Sequence, residues 1–389
     1  MTVPFRALLA IGVTLGAAIC AVLLARVDTS LGHAFGPDRR MRLLDATAAT
    51  YPDRDRIARA VLGERPIDGR AYRVLAVDQA AAGQGMEARA LLEVAVRRWP
   101  RDPMTRALLA DHALAAGDAD IGLEHLDALL RVAPHARSEL LPLLIPHLGD
   151  ARVRDALVAR LALDPPWRNA LAMQLRADSA KPADVEALLA ALATRVPLAP
   201  EEQRTRIAML DRAGHPARAR ALWRSTLDAS MRGDAGLVFD GGFEHPGVRD
   251  GYGWHIASAP GVSIEYDASA AHAGAYSLVI RFSGRAVAFN HVSQPLVLGP
   301  GVHRFAAAAR DDTGSTRPFE WRIACADGAM LASVPIDARG TWREQAAAFE
   351  VPTNCARQTL VLRHASRSLA ERQLQGSLQV DALGIFPSR

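Results

Sequence analysis

Residues 83–100 read GQGMEARALLEVAVRRWP, and residues 117–134 read GDADIGLEHLDALLRVAP. The two stretches lie 34 positions apart, both open on glycine and both close on proline, and Pro66 fills the proline slot one period earlier. A fixed period of this size marks a helical repeat in which each unit is a pair of antiparallel helices. Glycine suits the turn inside the pair because it has no Cβ to oppose positive φ. Proline closes the second helix because it lacks a backbone N–H and crowds the preceding turn. Leu91, Leu92 and Val96 recur at helical spacing, and that periodicity continues to about Met231, punctuated by Pro142, Pro146, Pro165, Pro166, Pro182, Pro197 and Pro200. Gly83, Gly85 and Ala88 also fit a dinucleotide fingerprint, but that chemistry needs a preceding strand. Here a helix precedes, and the slot recurs at Gly117, so the segment reads as a repeat turn.

Toward the N-terminus, Ala7 to Ala25 holds no charged residue and is bracketed by Arg6 and Arg26. Nineteen helical residues would span about 28 Å, close to one hydrocarbon core. A cleaved leader wants small residues at both −3 and −1, and Leu23-Leu24-Ala25 breaks that rule. The expectation is a retained anchor within residues 1–28, single-pass in a bacterial-type inner membrane, with the body on the periplasmic side. Residues 37–232 are expected to form the helical repeat domain.

Toward the C-terminus the composition changes near Gly236. Residues 1–235 contain 7 aromatics and the shorter 236–389 contains 14. Period-two alternation appears in Tyr276-Ser277-Leu278-Val279-Ile280-Arg281-Phe282, and again where Phe319, Trp321, Ile323 and Cys325 alternate with Glu320 and Arg322. Further strands are expected over 261–266, 287–298, 302–310, 343–351, 357–364 and 377–386. Short strands separated by Gly and Pro turns argue an antiparallel β-sandwich over 236–389. The expected fold class is thus multi-domain α plus β: a membrane helix, an α-solenoid and a jelly-roll sandwich.

Bulk charge says little about partners. Lys181 is the only lysine among 46 basic residues, so arginine richness looks like compositional bias. Within 236–389, 14 Arg balance 14 Asp and Glu, which argues against nucleic acid and against purely electrostatic capture of polyanions. There is no H-E-x-x-H, C-x-x-C or G-x-S-x-G, and nothing nominates a pair of catalytic carboxylates, so a non-enzymatic protein is expected.

The repeat resembles the tetratricopeptide family. Gly83, the segment Ala88-Arg89-Ala90-Leu91-Leu92 and Pro100 match its small first-helix residue, second helix and closing proline. Gly117, Gly122 and Pro134 repeat the pattern, and Gly214-His215-Pro216-Ala217-Arg218-Ala219 echoes it. The family's first-helix Trp is absent, and the register is lost between Pro134 and Leu210. The resemblance implies a scaffold whose concave face holds a protein partner.

The C-terminal part resembles carbohydrate-binding modules of the galactose-binding-like type. The matching residues are Phe239-Asp240-Gly241-Gly242-Phe243-Glu244, Gly253-Trp254, Ala273-Gly274-Ala275-Tyr276-Ser277-Leu278, Gln294-Pro295-Leu296 and Val380-Asp381-Ala382-Leu383. The resemblance implies a glycan-binding module, with a structural calcium held by Glu244 and Asp381 near neighbouring first and last strands. Of the aromatics a sugar could stack on, Trp254 and Trp321 read as core, leaving Tyr252 and Trp342 as expected ligand platforms. Cys325 and Cys355, the only cysteines outside the anchor, are expected to form a disulfide. Rival readings are a pure protein scaffold with a structural sandwich, and a glycoside hydrolase with a cryptic carboxylate pair.

Overall fold

The computed structural model describes residues 54–176, 181–234, 236–248, 250–269 and 271–388. The apolar run 7–25 lies outside the described residues, as does the linker that follows it. Among those described, no helix is long and apolar enough to cross a membrane. The chain divides into two units, the second running Leu210–Arg389.

The first unit is helical. It opens with α1 (Arg54–Glu64), α2 (Gly69–Ala81), α3 (Gly85–Arg98), α4 (Pro103–Ala115) and α5 (Ala119–Val132). Gly83 and Gly117, at φ 78° and 81°, end α2 and α4 in the left-handed region. Beyond each, the next N–H reaches back across the last turn, Gln84 to the Gln79 carbonyl and Asp118 to the Ala113 carbonyl, both at 2.9 Å. Asp68, Asp102 and Asp118 cap the helices that follow by accepting from backbone N–H groups of Arg70, Thr105 and Ile121. Helices α3 and α5 stop just short of Pro100 and Pro134, as the sequence expects.

Beyond Pro134 the spacing loosens into α6 (Arg137–Leu144), α7 (Ala151–Leu161), α8 (Arg168–Leu175), α9 (Pro182–Ala193) and α10 (Pro200–Arg212). Leu126, Leu141, Leu157, Trp167 and Leu188 share one buried cluster across these helices. Two buried ion pairs, not foreseen from sequence, tie helix to helix. Arg73 grips the Asp102 carboxylate at 2.7 Å, and Arg168 grips Glu202 with Nε and Nη2, both at 2.7 Å. In each pair the acid sits at or near a helix start, where its charge also meets the positive end of the helix dipole.

The second unit begins earlier than position 236. Helix α11 (Pro216–Thr226) packs Trp223, 2 % exposed, edge-on against Phe239 at 4.9 Å and tilted against Tyr252 at 5.9 Å. This helix was expected to belong to the repeat domain ending at 232; its aromatic contacts make it part of the sandwich unit instead. The short α12 (Ala229–Gly233) leads into the strands.

One five-stranded sheet orders β1 (His255–Ile256), β4 (Val292–Leu296), β9 (Gln358–His364), β6 (Phe319–Cys325) and β7 (Met330–Pro335). The other orders β2 (Val262–Asp267), β3 (Ser277–Ala286), β10 (Gln373–Pro387), β5 (Gly301–Asp311) and β8 (Arg343–Val351). All pairs within these sheets are antiparallel. Alternate residues face inward, and Phe319, Trp321, Ile323, Leu360 and Leu362 meet Leu278, Ile280, Phe305 and Val380 in one core. Trp254 and Trp321 are fully buried, their rings 6.0 Å apart, as expected for core residues. Cys325 and Cys355 are disulfide-bonded across a sequence separation of 30. Strand β7 was not foreseen, and the expected strand 287–298 is regular only over β4.

Candidate functional site

Three segments meet around two of the expected site residues. Asp381, fully buried, accepts from the backbone N–H groups of His272 and Ala273 with Oδ2 at 2.8 and 2.9 Å. Its Oδ1 accepts from the N–H of Ala382 at 2.6 Å. Glu244 Oε1 accepts from the N–H groups of Ala275 and Tyr276 at 2.8 and 3.3 Å. The two carboxylates therefore clasp one loop, 272–276. The clasp is crowded: a Cβ on Gly274, at φ 69°, would lie 2.1 Å from Glu244 Oε1. Asp240, Phe243 and Ala382 hold positive φ beside it, a strained backbone that surrounding contacts must fix in place.

Asp240 repeats the arrangement, its two oxygens accepting from the N–H groups of Glu244 and His245 at 2.6 and 3.1 Å. Burial pushes its carboxyl up to about 6, against the pull of those two donors. Calcium demands six to eight oxygen ligands. Here the bonded oxygens of Glu244 and Asp381 face amide protons, which already supply the positive poles. Among the described residues, no three His, Cys, Asp or Glu gather into a metal-binding group. A calcium ion at Glu244 and Asp381 would have to share these oxygens with the amides that already bond them.

The expected stacking residues are separated. Tyr252 is 3 % exposed, and its hydroxyl donates to Asp211 Oδ1 at 3.2 Å or the Pro216 carbonyl at 3.1 Å. Burial together with the Asp211 carboxylate pushes that hydroxyl's pKa up. Tyr252 is a packing residue between α11 and the strands and cannot receive a sugar ring. Trp342, just before β8, is half-buried and lies 5.3 Å from His272, beside the clasped loop.

In the sandwich unit a groove lies elsewhere, on the outer face of the β1-β4-β9-β6-β7 sheet. The alternation that turns Trp321, Ile323, Leu360 and Leu362 inward turns Glu320, Arg322, Ala324, Thr359, Val361 and Arg363 outward. Register places Arg363 opposite Glu320, Val361 opposite Arg322 and Thr359 opposite Ala324. Arg322, Ala324, Thr359, Val361 and Arg363, together with Asn290, Ser366 and Arg372 from flanking segments, line a cavity of about 370 Å³.

Glu320 lies beneath this face with its side chain 10 % exposed. It accepts from Arg322 Nε at 2.7 Å and from the Ser333 hydroxyl at 2.6 Å, and it lies 3.3 Å from Arg363 Nε. Arg372 Nε, shielded from solvent, has no hydrogen-bond partner. His364 turns inward toward Ser315, and burial pushes its imidazole below the usual value, so it adds no charge at neutral pH. The only phenyl, tyrosyl or indolyl ring among the lining residues is Phe289, at 1 % exposed. None of the lining arginines was foreseen as a site residue. The alternation of Glu320 and Arg322 along β6 was the available signal.

No family model and no curated protein matches this chain. Among solved structures, the sandwich is similar to TmCBM61 in complex with beta-1,4-galactotriose, with a TM-score of 0.31 and 18 % identity over 39 % of this chain and 99 % of that one. It is also similar to the CBM22-1 xylan-binding domain of Paenibacillus barcinonensis Xyn10C, with a TM-score of 0.27 and 17 % identity over 34 % and 84 %. The two-sheet architecture stands on the strand orders and registers described above.

Proposed function

We propose that the chain is a non-catalytic glycan-binding protein, its sandwich holding a polysaccharide segment in the groove across β6 and β9. The observation that carries this reading is the groove: about 370 Å³ on a strand-built face, lined by hydroxyl, amide and guanidinium groups beside the apolar Ala324, Met330 and Val361. Its volume falls within the roughly 300–1,000 Å³ range of small-ligand sites. Strands β6 and β9 fix Arg322, Thr359 and Arg363 better than loops would, which lowers the ordering cost of binding. The groove lining includes no Asp or Glu, so the glycoside-hydrolase alternative gains no support there. The amide clasp is a structural device that holds the 272–276 loop.

For the helical unit the proposal is a tetratricopeptide-like scaffold docking a protein partner; Met86 and Ile67, 84 % and 67 % exposed, offer apolar contacts. The apolar run 7–25 would tether the chain to an envelope membrane, with both units on its outer side.

The test is a panel of soluble hexasaccharides from galactan, xylan, glucan and polyuronate backbones, titrated into the full chain, with reducing ends assayed in parallel. Saturable binding without new reducing ends supports the reading. No binding at millimolar ligand would leave the sandwich as a structural element of a protein scaffold.

A further inference from the structure

Resting on the groove as the glycan site, we propose that its ligand is an acidic polysaccharide carrying carboxylates on successive sugar rings. Arg322, Arg363 and Arg372 all line the cavity, and no lining residue is acidic. Of the carboxylates behind the lining, Glu320 lies against Arg322 and Arg363, and Glu371 is paired with Arg317. Three guanidiniums and no carboxylate therefore line the cavity itself, although the charges of residues 236–389 balance as a whole. A charged lining over a low-dielectric wall concentrates its field at the groove.

The geometry adds specificity to the charge. Arg322 donates to Glu320 through Nε and Arg363 Nε lies 3.3 Å from it without a hydrogen bond; their side chains are 33 % and 34 % exposed, and their Nη groups are turned to no protein acceptor among the described residues. A guanidinium edge matches a carboxylate in a two-point hydrogen bond, the strongest of the neutral-pH polar contacts. Arg372 lines the same cavity, its Nε–H shielded from solvent and without a protein acceptor. A site for a neutral glycan would instead be expected to present flat aromatic faces to the C–H surface of the ring. Phe289 is turned into the core, and no other such ring lines the groove. Charge and hydrogen bonding therefore have to supply what stacking does not.

The full chain is titrated calorimetrically with a hexamer of galacturonic acid, a hexamer of mannuronic acid, and the fully methyl-esterified form of each, which keeps the backbone and removes the charge. At least one acid is expected to bind about tenfold or more tighter than its ester, roughly 1.4 kcal/mol. That binding should weaken as salt rises from 50 to 300 mM. Arg372→Gln and Arg322→Gln should each abolish the preference, Arg372→Lys should retain part of it, and Arg343→Gln on the other sheet should leave it unchanged. Thermal midpoints separate lost binding from lost folding. Equal binding of acid and ester, or of the neutral hexasaccharides alone, overturns this inference and leaves the glycan-binding reading standing. Failure of every hexamer, acidic or neutral, removes both. Equal capture of a single-stranded DNA oligomer shows a site for any polyanion and also overturns the inference.

Discussion

Replacing Asp381 with Asn tests whether the amide clasp is self-sufficient. In the native unit the buried carboxylate accepts three backbone N–H groups, from His272, Ala273 and Ala382. The amide keeps one oxygen. Placed where Oδ2 stands, it still serves His272 and Ala273, but two charge-assisted bonds become neutral ones, a loss of about 1 kcal/mol each. Its NH₂ then faces the Ala382 N–H, donor against donor, which strands a buried N–H at about 1–3 kcal/mol more. The expected total is about 3–5 kcal/mol. For a unit the size of Leu210–Arg389, that lowers the thermal midpoint by about 6–20 °C. Differential scanning calorimetry on the full chain reads it, with the exposed Asp337→Asn as a control expected to shift by less than about 0.5 kcal/mol. Chelator and millimolar calcium should leave the wild-type midpoint where it is. A loss below 1 kcal/mol in D381N would refute the clasp. A wild-type midpoint that rises with calcium and falls with chelator would show that the carboxylates hold a cation.

Three further outcomes follow from packing and charge. Converting Cys325 and Cys355 together to Ser should cost the sandwich about 3–4 kcal/mol in urea unfolding, the chain-entropy value for a loop of separation 30; a change under 1 kcal/mol would contradict a formed bridge. Asp240 has a folded value near 6, above its ordinary 3.8, so the folded state holds the extra proton between those values. Its contribution is present in full below about pH 4 and is lost as pH rises through 6, at most about 3 kcal/mol. Urea midpoints against pH should show that slope in wild type and a flatter profile in Asp240→Asn. Tyr252→Phe should cost about 1–3 kcal/mol of stability and leave glycan binding unchanged, since its hydroxyl serves Asp211 and Pro216; a binding defect at unchanged stability would restore it as a ligand platform.

Much of the architecture was legible because it depends on local chemistry. Gly83 and Gly117 announce left-handed helix ends, and Pro100 and Pro134 announce stops, without any knowledge of neighbours. Strands β3 and β6 declare themselves through the large apolar residues at alternate positions, Leu278, Ile280 and Phe282 in one and Phe319, Trp321 and Ile323 in the other, all of which enter the core. Strand β7 did not, because it lies at the sheet edge and only Ala332 and Val334 turn inward. Tyr252 was misread for a non-local reason. Its burial depends on Asp211 and Pro216, 41 and 36 residues away, and on a tryptophan from a helix assigned by periodicity to the other unit. The groove arginines were hidden likewise. Arg322 and Arg363 are strand-surface residues in sequence, and only the pairing of β6 with β9 brings them over a single glutamate. Glu244 and Asp381 were expected to share a calcium between neighbouring first and last strands; both instead bond backbone amides of the loop 272–276, which no side-chain pattern reports.

The claim that the outer face of β6 and β9 is the ligand site is tested most directly by filling it. Val361 lines the groove centrally on β9, opposite Arg322, and its side chain is only partly buried. Val361→Trp places an indole in the cavity without touching the core or the charge. Titration with whichever hexasaccharide binds the wild-type full chain most tightly should give at least about tenfold weaker binding, roughly 1.4 kcal/mol, with the thermal midpoint held within about 2 °C. An unchanged dissociation constant in a folded V361W protein would place the glycan on another surface and contradict the account.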